Sequence, residues 1–228
     1  MIERKAVRAM SYLARLRKLT SDWVPIRPLA ARHRKRITGH LLALSADDRY
    51  LRFGYTATDE QIRQYVQRLD FNHDEVLGVF NRRLDLVAMA HLAYSPAPQR
   101  PGQPAMAEFG VSVSSSVRGR GLGQRLFDRA SLHARNRGIE TLFIHALSEN
   151  TPMLRIARKA GATVERSGGE SEAWLRLPTD TMTSHVDEAL ERHLAEVDFE
   201  LKRHMRQLRR LRDFVRRITS RSPRLHKP

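Results

Sequence analysis

The sequence contains no cysteine, so disulfide bonds, thiolate zinc ligands and a cysteine nucleophile are excluded. It has no apolar run near the roughly 20 residues that a membrane-spanning helix needs, and its start lacks the apolar segment of a signal peptide. We therefore expect a cytoplasmic protein. Acidic residues are few, because 25 Asp and Glu stand against 41 Lys and Arg, for a net charge of +16. Such a surface attracts anionic ligands, acidic protein patches or nucleic acid.

The 228 residues suffice for one domain of about 150 residues with a full core, together with extensions at both ends. Residues 1–22 are predicted to form a basic amphipathic helix, and residues 23–178 the domain. Residues 179–228 are predicted to form a linker and a second basic amphipathic helix. Apolar residues recur in this helix every three or four positions from Val186 to Ile218, so it should run for about 34 residues, too far for the domain to cover.

The C-terminal helix is expected to join two copies into a homodimer, because its apolar stripe would otherwise stay exposed. Packing against the N-terminal helix of the same chain is a second interpretation, and binding to nucleic acid or an anionic membrane through its arginines is a third. The N-terminal helix is open to the same range of partners. A chain that ends near Pro178 is expected to be a monomer that keeps the ligand site of the domain.

Within the domain, strand-like and helical segments are interleaved, which predicts an α/β (α+β) fold with a mixed sheet and helices on both faces. A hairpin is indicated by two runs rich in Val, Leu and Ala that a short turn joins. Pro25 and Pro28 place the first strand at an edge of the sheet, because proline cannot donate to a ladder. The predicted strands cover residues 23–29, 75–80, 84–94, 107–113, 141–147, 163–166 and 172–177, and the predicted helices residues 30–44, 49–53, 58–69, 124–137 and 151–161.

The stretch AEFGVSVSSSVRGRGLG at residues 107–123 reads as a strand that enters a glycine-rich turn and opens a helix. Glycine lets the backbone approach a ligand closely, and the unpaired amides of a helix start attract phosphate, so this turn suits a diphosphate. A P-loop is excluded because no Gly-Lys-Ser/Thr ends the turn. A dinucleotide-binding fingerprint is also disfavoured, because it needs glycine at the position of Gln124. It further needs an acidic residue at the end of the next strand, whereas Glu140 lies before that strand.

What remains is the pattern Arg/Gln-x-x-Gly-x-Gly/Ala, present as Arg118, Gly121 and Gly123 after a strand that carries Glu108. The turn resembles the acyl-CoA loop of the GNAT acetyltransferase superfamily. The next strand is followed by Asn150 and by a helix that ends at Gly161, as in GNAT enzymes. Together with the segment RYLRFG at residues 49–54, these motifs look most like the GNAT domain of Pat-type protein lysine acetyltransferases. The resemblance covers residues 23–177.

The resemblance implies an acetyl-CoA-dependent N-acetyltransferase that needs no metal and acetylates an amine. Protein lysine is the expected acceptor, and small amines, aminoglycosides and protein N-termini are alternatives. Glu108 holds the position of the general base. The implied acyl-CoA site consists of Val111, Val113, Arg118, Gly119, Arg120, Gly121, Leu122, Gly123 and Asn150, and the implied acceptor side of Tyr50, Arg52 and Phe53. Asn150 would hold the pantetheine or the gap between the strands, and capping of the following helix is an equal interpretation.

Two positions qualify this assignment. Many superfamily members carry a tyrosine as general acid where Ala157 stands here, so the acid is unassigned. His145 lies in a predicted strand and reads as a core residue rather than as that acid. Two other functions also remain open: a non-catalytic acyl-CoA sensor with Glu108 held in an ion pair, and a nucleic-acid-binding protein that acts through its basic terminal helices.

Overall fold

The computed structural model describes residues 24–95, 104–179, 186 and 188–203. The predicted N-terminal helix and the part of the predicted C-terminal helix beyond residue 203 lie outside the described residues. The described elements, in chain order, are β1 (Ile26–Pro28), α1 (Arg34–Leu42), α2 (Ala46–Phe53), α3 (Asp59–Arg68), β2 (Glu75–Phe80), β3 (Leu86–Tyr94), β4 (Met106–Val113), α4 (Leu122–Asn136), β5 (Thr141–Leu147), α5 (Thr151–Lys159), β6 (Thr163–Ser167), β7 (Glu170–Arg176) and α6, which spans residues 188–203.

The seven strands form one sheet in the order β1-β2-β3-β4-β5-β7-β6. Strands β4 and β5 are parallel, and every other pair of neighbours is antiparallel. The sheet is therefore mixed, which confirms the predicted fold class. Strand β1 lies at an edge and contains Pro28, as a residue without a backbone N–H requires.

Helices α2 and α3 begin at side-chain caps that the sequence provides. The Ser45 hydroxyl accepts a hydrogen bond from the Asp48 amide at the start of α2. Thr58 and Gln61 form a reciprocal capping box at the start of α3. These bonds satisfy amides that have no partner within the helix, so the first turns of α2 and α3 are defined locally.

The core has two parts, one on each face of the sheet. Helices α4 and α5 pack on one face, where Phe109 of β4 meets Phe127 of α4 edge to face with ring centroids 5.1 Å apart. Helices α1 and α3 pack on the other face, where Ile37, Leu41 and Ile62 are fully buried. Strand β4 contributes its apolar side chains to the first part, and its other face carries Glu108, Gly110 and Ser112.

One face of helix α6 docks on the domain beside β1. The ring of Phe199 contacts the ring of Phe80 with centroids 5.2 Å apart, and the Arg27 guanidinium lies 3.8 Å from the Phe199 ring centroid. Arg27 also pairs with Glu196 at 2.7 Å. The expectation that the chain can end near Pro178 without harm to the domain does not fit these contacts, because Phe199 is part of the core.

The first turn of α6 is held by a buried carboxylate. Glu188 is 6% exposed and accepts hydrogen bonds from His133 and Asn136 of α4, with the Arg129 guanidinium nearby. Burial alone would raise the pKa of Glu188, but these hydrogen bonds and charges outweigh it and lower the pKa to about 2. No described helix is long and apolar enough to cross a membrane.

Candidate functional site

Strands β4 and β5 separate part-way along their length. They pair only at Met106–Thr141, Ala107–Leu142 and Glu108–Phe143. Beyond Glu108, β4 continues to Val113 beside β3, and β5 continues to Leu147 beside β7. A wedge-shaped opening therefore begins at Glu108 and widens toward the end of β4.

The backbone of β4 directs unpaired groups into this opening. The Ser95 amide bonds to the Met106 carbonyl, and the Ser114 amide bonds to the Val87 carbonyl. In an antiparallel ladder such bonds recur at every second residue, so the even-numbered residues of β4 bond to β3. The amides and carbonyls of Val111 and Val113 consequently face the opening, where β5 no longer pairs with them. Of these groups, the Val113 carbonyl accepts a hydrogen bond from Arg118.

The glycine-rich turn lies at the wide end of the opening. Gly119 and Gly121 have φ angles of +74° and +71°, and a Cβ added at either would meet no atom within 4 Å. At the start of α4, the first hydrogen bond to a carbonyl of the turn runs from the Arg125 amide to the Gly121 carbonyl. The amides of Leu122, Gly123 and Gln124 therefore precede the intrahelical ladder, and they point toward open space at the positive end of the helix dipole.

A cavity of about 750 Å³ occupies the opening. Most of the predicted site residues line it, namely Arg52, Phe53, Glu108, Val111, Val113, Arg118, Gly119, Gly121, Leu122, Gly123 and Asn150. Tyr50 and Arg120 are not among the lining residues. The Arg118 side chain is held against the wall, because its guanidinium pairs with Asp48 and its Nε donates to the Val113 carbonyl.

Glu108 lies at the narrow end of the cavity. Its side chain is exposed and lies on the face of the sheet that carries α1–α3, together with Gly110 and Ser112. No other described residue forms an ion pair with it. Glu108 therefore has a free carboxylate at the point where β4 and β5 part.

A chain of hydrogen bonds ends beside Glu108. The Arg52 guanidinium donates to the Tyr65 hydroxyl at 3.0 Å, the hydroxyl contacts His91 Nδ1 at 2.9 Å, and His91 Nε2 contacts Asp74 at 3.0 Å. Since the arginine can only donate, the tyrosine proton goes to Nδ1 and the histidine proton lies on Nε2. Burial raises the pKa of Tyr65 and lowers that of His91, so both stay uncharged near neutral pH.

This chain fixes the position of Arg52. A Cβ added at Gly110 would lie 2.7 Å from three atoms of the Arg52 guanidinium, so only glycine there lets the guanidinium lie against the strand. The predicted acceptor side included Arg52 but not the residues behind it. Tyr65, His91 and Asp74 belong to three separate segments, and only the fold brings them together.

The sequence model of the Acetyltransferase (GNAT) family matches residues 40–162, which is more than half of the chain. The chain belongs to the GNAT acetyltransferase family. The matched range contains Glu108, the glycine-rich turn and Asn150, so the resemblance read from these motifs is confirmed.

Solved structures share the fold of this GNAT chain. The GNAT domain of S. lividans PAT is 22% identical with a TM-score of 0.56, over 67% of this chain and 89% of that chain. The ribosomal-protein-alanine N-acetyltransferase of Brucella melitensis is 18% identical with a TM-score of 0.50, over 67% and 99%. YncA of Salmonella typhimurium, solved with its cofactor acetyl-CoA, is 17% identical with a TM-score of 0.52, over 70% and 96%.

In this GNAT domain, both polar atoms of the Asn150 side chain bond to the protein. Its Oδ1 accepts from the Met153 amide at 3.2 Å and caps α5, while its Nδ2 donates to the Leu51 carbonyl at 3.1 Å. Asn150 thus links α5 to α2, on opposite sides of the cavity mouth. The predicted helix cap is present, and the same residue also helps to hold the opening.

Two further GNAT positions differ from what the sequence suggested. Ala157 is fully buried in the core and does not line the cavity, whereas Met153 and Ile156 of the same helix do. Neither can donate a proton. His145 is not a core residue, because it is exposed and lines the cavity. Its Nε2 lies 3.8 Å from Oε1 of Glu170. The alternation of β5 places it on the same face of the sheet as Glu108.

Proposed function

We propose that this chain transfers the acetyl group of acetyl-CoA to a primary amine, with the ε-amine of a protein lysine as the acceptor and Glu108 as the general base. One observation carries the proposal: a free carboxylate lies at the narrow end of a cavity whose wide end is lined by unpaired amides. A thioester carrier with an anionic tail fits the wide end, and an amine fits the narrow end.

The described residues fit acetyl-CoA on two grounds. The amides of Leu122, Gly123 and Gln124, with the open space at Gly119 and Gly121, suit the diphosphate. The amide and carbonyl of Val111 and the amide of Val113 suit the peptide-like groups of pantetheine, which need partners along an extended path. When bound, acetyl-CoA supplies an acyl carbon activated by its thioester bond.

The chain's own residues manage the proton and the geometry. A lysine amine must lose a proton to attack, and the Glu108 carboxylate accepts it directly or through one water. As the new C–N bond forms and the C–S bond breaks, the nitrogen gives its second proton to solvent and the departing thiolate takes a proton from solvent. Ala157 cannot supply that proton. This direct transfer needs no acyl-enzyme, in agreement with the absence of cysteine.

Arg52 shapes the acceptor side of the cavity. Its guanidinium is held on Gly110 by Tyr65, so a fixed positive charge lies on the same face of β4 as Glu108, two residues along the strand. A fixed cation beside the base repels an ammonium and admits the neutral amine more readily. It also attracts acidic groups around the target lysine. Phe53 packs edge to face on Tyr65 and keeps this arrangement in place.

The net charge of +16 further favours a lysine within an acidic patch of a protein and disfavours a polycation such as a polyamine. The Brucella neighbour is named for acetylation of an alanine in a ribosomal protein, which makes a peptide N-terminus the main competing acceptor. Both are primary amines, and both would use the same base.

The proposal is tested by release of free CoA thiol from acetyl-CoA with matched peptides. One peptide has a blocked N-terminus and a single lysine among acidic residues, a second has the same lysine among basic residues, and a third has a free N-terminal alanine and no lysine. We expect the first to react fastest. Reaction of the third alone would replace lysine by the N-terminus as acceptor. Tight acetyl-CoA binding without turnover on any peptide would indicate a sensor.

A further inference from the structure

Helix α6 docks on the domain with one face and carries an apolar stripe on the opposite face. The face toward the domain carries Glu188, Ala195 and Phe199, which are at most 9% exposed. The opposite face carries an apolar stripe of Leu190, Leu194, Val197 and Leu201, which are 44% to 62% exposed. Because the first face is already held by Arg27, His133 and the core, α6 cannot turn to bury the stripe against its own domain.

The stripe is symmetric in the sequence about the bond between Lys202 and Arg203. Distances are equal on the two sides when they are counted back from Lys202 and forward from Arg203. Leu190 and Val215 are each 12 residues away, Leu194 and Leu211 are each 8 away, and Val197 and Leu208 are each 5 away. A helix with this pattern matches itself when a second copy runs in the opposite direction. Three of the four stripe residues, Leu190, Leu194 and Val197, then meet an apolar residue of the half that follows residue 203, and Leu201 meets His204 next to the centre.

Charge selects the same arrangement. Residues 186–202 contain six acidic and two basic residues, a net charge of −4, whereas residues 203–219 contain one acidic and seven basic residues, a net charge of +6. A parallel pair would place the two arginine-rich halves side by side, where like charges repel. An antiparallel pair places each arginine-rich half against the acidic half of the other copy.

Two other occupants of the stripe fit less well. The chain cannot fold back on itself at the symmetry point, because residues 188–203 are helical and residues 179–222 contain neither glycine nor proline. The N-terminal segment, residues 1–22, has six basic and two acidic residues. It would be attracted to the acidic half of the helix and repelled by the arginine-rich half.

We propose that α6 and its continuation pair with the same helix of a second copy in an antiparallel arrangement centred between Lys202 and Arg203. Residues 203–219 of one copy cover the stripe of the other. The two catalytic domains then lie at opposite ends of the helix pair, each docked on the first half of its own helix. This proposal concerns assembly and does not depend on the acceptor.

The first test is the mass of the full-length protein in solution by light scattering. We expect a dimer at tens of micromolar, and one that persists at high salt and after nuclease treatment. Leu194→Glu with Leu201→Glu should give a monomer with an unchanged melting temperature, because both side chains are exposed on the domain. Gln64→Glu with Gln67→Glu, on the exposed face of α3, is the matched control and should stay dimeric. A monomeric parent, or a dimer that nuclease or salt dissociates, would overturn the proposal.

The second test determines the relative direction of the two helices by disulfide cross-linking. Because the sequence contains no cysteine, only the introduced cysteines can form a disulfide. Leu194→Cys and Leu211→Cys are made separately, one with a tag that changes its mobility, and the two are mixed and oxidised. The antiparallel pair predicts disulfides between the two variants. Neither variant should link to itself, since residues 17 positions apart on a helix are separated by about 25 Å. Efficient self-linking of each variant alone would show a parallel pair and contradict the proposal.

Discussion

Acidification should destabilise this protein through two buried histidines. His33 is 3% exposed and its Nδ1 accepts from the Ala30 amide, and His40 is 4% exposed and contacts the Ser112 hydroxyl at 2.8 Å. Burial lowers the pKa of each from 6.5 to about 4, assisted at His33 by the charge of neighbouring arginines. Between pH 6.5 and pH 4 the unfolded chain therefore binds protons that the folded chain does not, and stability falls with pH.

The size of this effect follows from the two pKa values. Each unit of difference between the folded and the unfolded pKa corresponds to about 1.36 kcal/mol. The lowered pKa of each histidine therefore reduces the free energy of unfolding by about 3 kcal/mol between pH 7 and pH 4. Two such groups remove about 6 kcal/mol, which approaches the total stability of an ordinary domain. Unfolding at moderate acidity is therefore expected.

The assay is urea unfolding followed by circular dichroism at pH 7 and at pH 4. His40→Gln should reduce the difference in unfolding free energy between the two pH values by about 3 kcal/mol, whatever it does to stability at pH 7. His193→Gln, on the exposed surface of α6, should leave the difference unchanged. Equal pH dependence in the parent and the His40 variant would refute the reasoning.

Three further substitutions test other parts of the structure. Tyr65→Phe removes the link between Arg52 and His91 and should lower turnover by about 10- to 100-fold with unchanged acetyl-CoA affinity, whereas Tyr50→Phe, outside the cavity lining, should not. Gly121→Val should abolish acetyl-CoA binding measured by calorimetry. Gly168→Val, at a glycine with a similar positive φ, should cost the same strain of about 1–2 kcal/mol but should leave acetyl-CoA binding intact. Phe199→Ala should destabilise the domain by about 3–5 kcal/mol in thermal unfolding, and an unchanged midpoint would show that α6 is not docked.

The parts of the site that depend on local signals were predictable from the sequence. The strand, turn and helix from Ala107 to Gly123 have period-two apolar spacing, glycines and helical spacing in direct succession, and the structure places them as predicted. The predicted strand over residues 75–80 has the observed bounds, and the cap at Asn150 was read from the residue type and Pro152. Such features need only neighbours in the chain.

What the sequence did not reveal depends on contacts between distant segments. Tyr65 reads as an inner-face core residue of a helix, and its pairing with His91 requires the register of β3 against α3. Glu188 reads as a solvated charge, yet it is buried because α4 supplies His133 and Asn136. The spacing of α6 revealed the stripe that stays exposed, while the docked face, with one apolar ring at Phe199, has too little periodicity to be recognised.

The central claim is that Glu108 removes the proton from the amine within the opening between β4 and β5. Its most direct test is the steady-state kinetics of Glu108→Gln with acetyl-CoA and an acidic-flanked lysine peptide, beside Glu165→Gln, an exposed carboxylate of β6. We expect Glu108→Gln to lower kcat by about 10²- to 10⁴-fold, while the KM for acetyl-CoA stays within a few-fold of the parent. The control variant should match the parent. Turnover of Glu108→Gln within a few-fold of the parent from about pH 6 to pH 9 would contradict the claim.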